Sequence, residues 1–148
     1  NLLNTLKSTK MGLPYSGDLP KSLRTYYKYK AGNEVRNQDF DVVSGAKDTF
    51  DIYAIIFESR DKENYLYGDH DFQDPRNVAI ARVSQSQRIE TSTWRELEFD
   101  FEMVTGKTYD PEKEYVLAIV MSSSIDGARF TGAIGSTLIV DEIELIIN

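Results

Sequence analysis

The 148-residue chain contains no cysteine and only one histidine. The absence of cysteine excludes a disulfide scaffold, a thiolate metal site and a cysteine nucleophile. A zinc site or a Ser-His-Asp triad would have to be built around the single imidazole of His70. The aspartates near it, Asp69, Asp71 and Asp74, could bring a metal ion to this segment. A solvated loop is the simpler interpretation.

Basic residues and long apolar runs are also scarce. Seventeen Lys and Arg residues stand against 24 Asp and Glu residues, which gives a formal net charge of −7 at pH 7. An acidic protein repels the phosphates of nucleic acids and of anionic membranes, so we expect neither as a partner. No run approaches the ~18 apolar residues of a membrane helix, so the chain is not expected to be transmembrane.

The chain contains short segments in which apolar and polar residues alternate. Ser22–Lys30 and Thr93–Met103 have a period of two, which is typical of half-buried antiparallel strands. Thr49–Ser59 and Glu114–Ser124 are apolar on both faces, which predicts central strands. Three further strands are predicted between turn residues, at Lys7–Leu13, Asn77–Ser84 and Thr137–Ile147.

Several strands joined by turn-rich loops predict an all-β protein with a two-sheet antiparallel β-sandwich of jelly-roll topology. The length suits one domain over residues 1–148. Such a sandwich leaves one sheet face open to solvent, where a ligand can bind.

Sugar recognition requires exposed aromatic rings flanked by carboxylate, amide and guanidinium groups. The candidate carbohydrate-binding residues on the predicted strands are Arg24, Tyr26, Lys28, Tyr53, Arg82 and Trp94. Trp94 lies on the polar side of its strand, opposite Leu97 and Phe99, and is therefore the best candidate for stacking on a sugar ring. The alternative is that Trp94 covers the edge of the core, since tryptophan is more often buried than exposed.

Acidic residues are too numerous to define a catalytic pair. A glycosidase needs two carboxyl groups roughly 5–10 Å apart. The acids that qualify by residue type are Glu58, Glu98, Asp100, Asp126, Asp141 and Glu142. Nothing distinguishes a pair among them, so no catalytic residue is predicted.

Asp141 is a candidate ligand for a structural calcium ion, although a role in capping loop amides is favoured, and no other cofactor is expected.

Six stretches of the sequence carry a resemblance to a known family. They are Tyr26–Lys30, Ile52–Ala54, Asn77–Arg82, Gly106–Lys107 with Asp110–Pro111, Ser122–Ala128 and Gly135–Glu142. Together they resemble the putative carbohydrate metabolism domain family, from about Leu13 to the C-terminus. The resemblance implies a jelly-roll domain similar to carbohydrate-binding modules, in secreted and surface proteins of anaerobic gut bacteria. It also implies the C-terminal part of a longer protein, often with an immunoglobulin-like domain upstream.

The sequence therefore predicts a non-catalytic module that binds a carbohydrate, and the resemblance implies an extracellular or cell-envelope location. Two alternatives stay open at this point. One is a structural or adhesive domain that contacts a protein partner, and the other is a glycoside hydrolase.

Overall fold

The computed structural model describes residues 6–60, 64–70 and 72–148, and nearly all of their regular structure is β. The strands in this part of the chain are β1 Lys10–Met11, β2 Leu13–Tyr15, β3 Ser22–Lys30, β4 Val35–Arg36, β5 Asp51–Phe57, β6 Leu66–Tyr67, β7 Asn77–Arg82, β8 Thr91–Met103, β9 Tyr115–Ser122, β10 Gly132–Ala133 and β11 Thr137–Ile146. Short 3-10 turns lie at Gln85–Gln87 and Gly127–Arg129. Among the described residues, no helix is long and apolar enough to cross a membrane.

Seven of these strands form one antiparallel sheet in the order β11-β3-β8-β7-β5-β9-β2. Strand β8 connects the two halves of the sheet. Its residues up to Asp100 pair with β3, whereas Phe101–Met103 pair with β7. Two short ladders, β1-β6 and β4-β10, accompany the main sheet. The long strand β8 is thus where the sheet passes from one half to the other.

Side chains from both halves of the curled sheet form the main core. On β3, the alternate residues Leu23 and Tyr27 are fully buried, as the period of two predicts. Tyr27 packs against Phe50 with ring centroids 4.9 Å apart. Full burial of a side chain such as Phe50 contributes about 1.5–3 kcal/mol. The same cluster contains Tyr29, Ala31, Ile52, Ala54, Ala81, Val83, Leu97 and Phe99.

A second cluster lies on the other face of β5 and β9. It contains Ile55, Phe57, Leu66, Val116 and Ala118, with Met11, Tyr53, Phe72 and Ile80 packed against it. The β1-β6 ladder and the segment around Phe72 therefore cover this part of the outer face. The outer face is not covered in this way along β8, which leaves room for a cleft.

The all-β antiparallel prediction is confirmed. The strand predicted at Lys7–Leu13 is wrong as a single element, because the chain is divided at Gly12, whose φ is +141°. A Cβ atom at Gly12 would lie 2.6 Å from Val116 Cγ1, so this close approach requires glycine. The seven main strands are hydrogen-bonded into one continuous curled sheet. The two-sheet sandwich of jelly-roll topology stays a prediction.

Candidate functional site

The outward face of β8 carries a tryptophan followed by four carboxylates. Successive residues of a strand point to opposite faces, so the residues opposite the buried Leu97 and Phe99 form one row. This β8 outer row consists of Trp94, Glu96, Glu98, Asp100 and Glu102. At about 3.4 Å per residue the row spans roughly 27 Å.

Trp94 begins the row beside strand β3. Its side chain is 48% exposed, and Lys28 Nζ lies 4.7 Å from the centre of its ring. The Tyr26 hydroxyl donates a hydrogen bond to Glu96 Oε2 at 3.0 Å, and this bond raises the pKa of Tyr26. These contacts bring a phenol and an indole to one open face. We call Tyr26, Lys28 and Trp94 the aromatic platform.

Arg24 lies next to the platform on the same face of β3. Its Nη2 donates to Glu144 Oε2 of β11 at 2.6 Å, and both side chains are exposed. Water screens such a pair, so its contribution to stability is small. The pair fixes the direction of the Arg24 side chain on the outer face.

The other end of the row forms a wall of a cleft of about 820 Å³. The residues of the cleft that matter most for its chemistry are Phe72, Arg82, Gln87, Glu98, Asp100 and Glu102. Glu98 accepts a hydrogen bond from Ser22 Oγ at 2.6 Å. Gln87 Nε2 donates to the main-chain oxygen of Glu98 at 2.9 Å, which holds the 3-10 turn at Gln85–Gln87 against β8.

A buried carboxylate holds Arg82 at the cleft. Asp51, whose side chain is 6% exposed, accepts from Arg82 Nη2 at 2.8 Å and from Arg88 Nη2 at 3.2 Å. Two guanidinium groups on one carboxylate leave a local charge of +1. The Arg82 guanidinium also lies 4.1 Å from the centre of the Phe72 ring. The cleft therefore has acids on its β8 wall and one positive group on its β7 wall.

Tyr53 lies behind this second wall. It is paired in register with Arg82 across β5 and β7, and its ring packs edge-on against Phe72 with centroids 4.7 Å apart. Burial raises the pKa of its hydroxyl. Tyr53 thus supports Phe72, while Arg82 itself lines the cleft.

The structure therefore distributes the predicted binding residues along the row. Tyr26, Lys28 and Trp94 come together at one end of the row. Arg24 lies in register with Glu98 at the middle of the row and bonds Glu144 of β11, and Arg82 lines the cleft at the other end. The exposure of Trp94 agrees with the parity of its strand. That any of these residues binds a sugar stays a prediction.

Asp141 lies on β11, in register with Tyr26. Its Oδ1 accepts a hydrogen bond from the main-chain nitrogen of Glu142 at 2.9 Å, which is an amide-capping contact. Glu142 has a φ of +50°, and the pairing of β11 with β3 shifts register between Asp141 and Glu144. In the described part of the chain, no group of three or more acids and histidines could hold a metal ion. The calcium role of Asp141 stays a prediction.

Asp48 is a buried carboxylate that the sequence analysis did not single out. Its Oδ2 accepts from Ser124 Oγ at 2.6 Å, from the Ala133 main-chain nitrogen at 2.9 Å and from Ser136 Oγ at 2.6 Å. It thereby connects the loop before β5 to the loops on both sides of β10. The partners lie 76 to 88 residues away in sequence, so no local spacing could have revealed them.

Comparison with known proteins relates the chain as a whole to carbohydrate metabolism. A family model described as "Putative carbohydrate metabolism domain" matches residues 1–146. Among curated proteins, none matches the chain significantly.

Two solved structures are similar to the chain along nearly all of its length. A putative glycoside hydrolase from Bacteroides thetaiotaomicron VPI-5482 has a TM-score of 0.88 and 42% identity, over 98% of this chain and 42% of that one. A putative glycoside hydrolase from Bacteroides vulgatus ATCC 8482 has a TM-score of 0.81 and 37% identity, over 95% of this chain and 57% of that one. The chain thus spans less than two thirds of both relatives.

Proposed function

This chain belongs to the putative carbohydrate metabolism domain family, and we propose that it is a non-catalytic carbohydrate-binding module. The proposed ligand is a glycan that lies along the β8 outer row, from the aromatic platform to the cleft. One observation carries the proposal: an exposed indole stands in line with carboxylates that lead into a cleft.

The chemistry of the row suits a polyhydroxylated ligand. An indole offers a large apolar surface with a polar edge, which matches the C–H face of a sugar ring. Carboxylates such as Asp100 and Glu102 accept hydrogen bonds from hydroxyl groups, and hydrogen bonds to ionised acceptors are the stronger ones. Arg82 can donate from the opposite wall. The cleft volume lies in the range of about 300–1,000 Å³ that is common for ligand sites.

The proposal includes the context of the module. We expect the curled sheet to have the topology of a jelly-roll sandwich. We also expect the module to be displayed on a secreted or cell-surface protein. The family resemblance supports both points. Any activity or partner of a larger protein that contains this chain is likewise only a proposal.

A glycan array followed by affinity gel electrophoresis tests the binding function. We expect wild-type protein to be retained by at least one neutral polysaccharide and Trp94→Ala to lose most of that retention. Tyr26→Phe should weaken retention, because the hydroxyl bound to Glu96 is lost. Tyr15→Phe is the matched control, since its hydroxyl donates to the main chain of Asp18, outside the row and the cleft. Retention that is unchanged in Trp94→Ala would contradict the proposal.

A second function is favoured by the spacing of the acids in the cleft. Neighbours in the series Glu98, Asp100 and Glu102 lie two residues apart on one face, so their Cα atoms are about 6.8 Å apart. The carboxyl groups of a glycosidase pair lie roughly 5–10 Å apart, a separation that side chains on Cα atoms so spaced can reach. The solved relatives carry the name putative glycoside hydrolase. In this function Asp100 and Glu102 would supply the acid and the base.

A reducing-sugar assay on the glycans that the array selects separates the two functions. Binding without turnover supports the module. Turnover that disappears in Asp100→Asn or Glu102→Gln, with binding retained, supports the hydrolase. Binding of no glycan at all would favour the adhesive alternative and contradict both.

A further inference from the structure

A second pocket lies beside the β4-β10 ladder and shares no lining residue with the cleft. Its volume is about 400 Å³. Two of its apolar side chains are unusually accessible to solvent, Phe40 at 73% and Ile134 at 81%. The residues that give the pocket its chemistry are Arg36, Asn37, Gln38, Phe40, Phe130 and Ile134.

Both phenylalanines of this pocket have a left-handed backbone. The φ of Phe40 is +66° and that of Phe130 is +56°. This conformation is unfavourable for a bulky side chain, and it persists only where the surrounding structure imposes it. Phe130 is the C-cap of the 3-10 turn at Gly127–Arg129, and Phe40 closes a turn that begins at Asn37. Both turns therefore present an aromatic side chain to the same pocket.

Hydrogen bonds hold each strained residue in place. The Phe40 main-chain nitrogen donates to the oxygen of Asn37 at 3.0 Å, and Arg36 Nη1 donates to the oxygen of Phe40 at 2.7 Å. The Phe130 main-chain nitrogen donates to the oxygen of Gly127 at 2.9 Å. The backbone that carries each ring is thus fixed before any ligand arrives, which lowers the entropic cost of binding.

The two walls of the pocket are also fixed relative to each other. Gly132 pairs with Arg36 and Ala133 pairs with Val35 in the β4-β10 ladder. Beneath the ladder, the buried Asp48 carboxylate accepts from the Ala133 main-chain nitrogen at 2.9 Å. One framework therefore carries both phenylalanines.

The polar groups of the pocket favour an uncharged ligand. Arg36 is neutralised by an ion pair with Glu34. Asn37 Oδ1 accepts from the main-chain nitrogens of Asp39 at 3.0 Å and Asp41 at 2.9 Å. The amide nitrogen of Asn37 and the side-chain amide of Gln38 make no hydrogen bond within the described part of the chain. They can bind hydroxyl groups at the rim of the pocket.

We propose that this pocket is a second carbohydrate site, specific for a neutral sugar residue. The apolar face of the sugar ring contacts Phe40 and Phe130, and its hydroxyl groups bind the amides of Asn37 and Gln38. The site goes beyond the β8 outer row, although its ligand class rests on the proposed function. Two sites on one module would let a single polysaccharide bind with higher avidity than either site alone.

Nuclear magnetic resonance tests this site without knowledge of the natural ligand. The probes are neutral trisaccharides of glucose, mannose, galactose and xylose, each titrated into the protein at millimolar concentration. We expect at least one probe to shift the side-chain amide signals of Asn37 and Gln38. Phe40→Ala and Phe130→Ala should each weaken that binding roughly 3- to 10-fold, as expected for the loss of one aromatic contact.

The controls separate this site from the β8 outer row and from a folding defect. Phe40→Tyr keeps the ring and should keep the binding, and Gln38→Ala should weaken it without disturbing the backbone. Trp94→Ala should leave the shifts of Asn37 and Gln38 unchanged even if binding to the row is lost. The proposal is overturned if no probe shifts these amides, or if the dissociation constant obtained from their shifts is the same in Phe40→Ala as in wild type. Self-association that Phe40→Ala abolishes would equally overturn it, because the pocket would then be a contact between copies.

Discussion

Lys28 Nζ lies 4.7 Å from the centre of the Trp94 ring, so a cation on β3 covers part of the indole on β8. A cation over an aromatic face contributes about 0.5–1 kcal/mol at an exposed site. Trp94 is the only tryptophan in the sequence, and its fluorescence therefore reports on this contact without interference. The contact holds the indole in a defined position on the aromatic platform.

Replacement of Lys28 by methionine removes the cation and keeps the length of the side chain. We expect Lys28→Met to change the tryptophan emission and to lower the free energy of unfolding by no more than about 1 kcal/mol. Lys30→Met at the end of the same strand is the control and should leave the emission unchanged. Identical spectra for wild type and Lys28→Met would show that the cation does not position the indole.

Asp51 is the shared partner of Arg82 and Arg88, and its loss should be costly. Removal of one partner from a buried ion pair costs about 3–5 kcal/mol. Because Arg82 is partly exposed, we expect Asp51→Asn to lower the free energy of unfolding by about 3 kcal/mol, at the low end of that range. Urea denaturation measures the change. The matched control is Glu144→Gln, which breaks the exposed pair with Arg24 and should have a much smaller effect. Equal losses in the two variants would contradict this account.

The pair of Asp74 and Arg76 makes stability depend on pH. Hydrogen bonds from Arg76, including one from Nη2 at 2.8 Å, lower the pKa of the Asp74 carboxyl group. A folded-state pKa below the unfolded value, about 3.9, means that the stabilisation is present above that value. It is lost as the pH falls through the folded-state pKa. We expect Asp74→Asn to be less stable than wild type near neutral pH, with the difference shrinking below about pH 4. A difference in unfolding free energy that stays constant with pH would contradict the assignment.

The parts of the site that were predictable are those encoded by local alternation. A period of two is a property of one strand, so it places Arg24, Tyr26 and Lys28 on one face of β3 and Trp94 on the outward face of β8. The same alternation places the acids of the row on one face of β8. With 24 acidic residues in the chain, however, the sequence could not show that this row is more than a chance grouping.

The remaining features depend on contacts between distant segments. Asp48 and Asp51 gain their partners only when several loops and strands meet. Phe72, in the loop between β6 and β7, becomes a wall of the cleft because it packs on Tyr53 of β5. The curl of the sheet arises because β8 pairs with β3 along most of its length and with β7 only at its end. Neither the composition nor the periodicity of the sequence contains that information.

The central claim is that a glycan binds along the β8 outer row and contacts Trp94. A fluorescence titration of wild-type protein with the oligosaccharide selected on the glycan array tests it most directly, because the emission comes from that one indole. We expect a saturable change in emission, and the dissociation constant obtained from it should agree with calorimetry. In Asp100→Asn the same titration should give a larger dissociation constant. Calorimetric binding of the same oligosaccharide with no change in the Trp94 emission would contradict the claim.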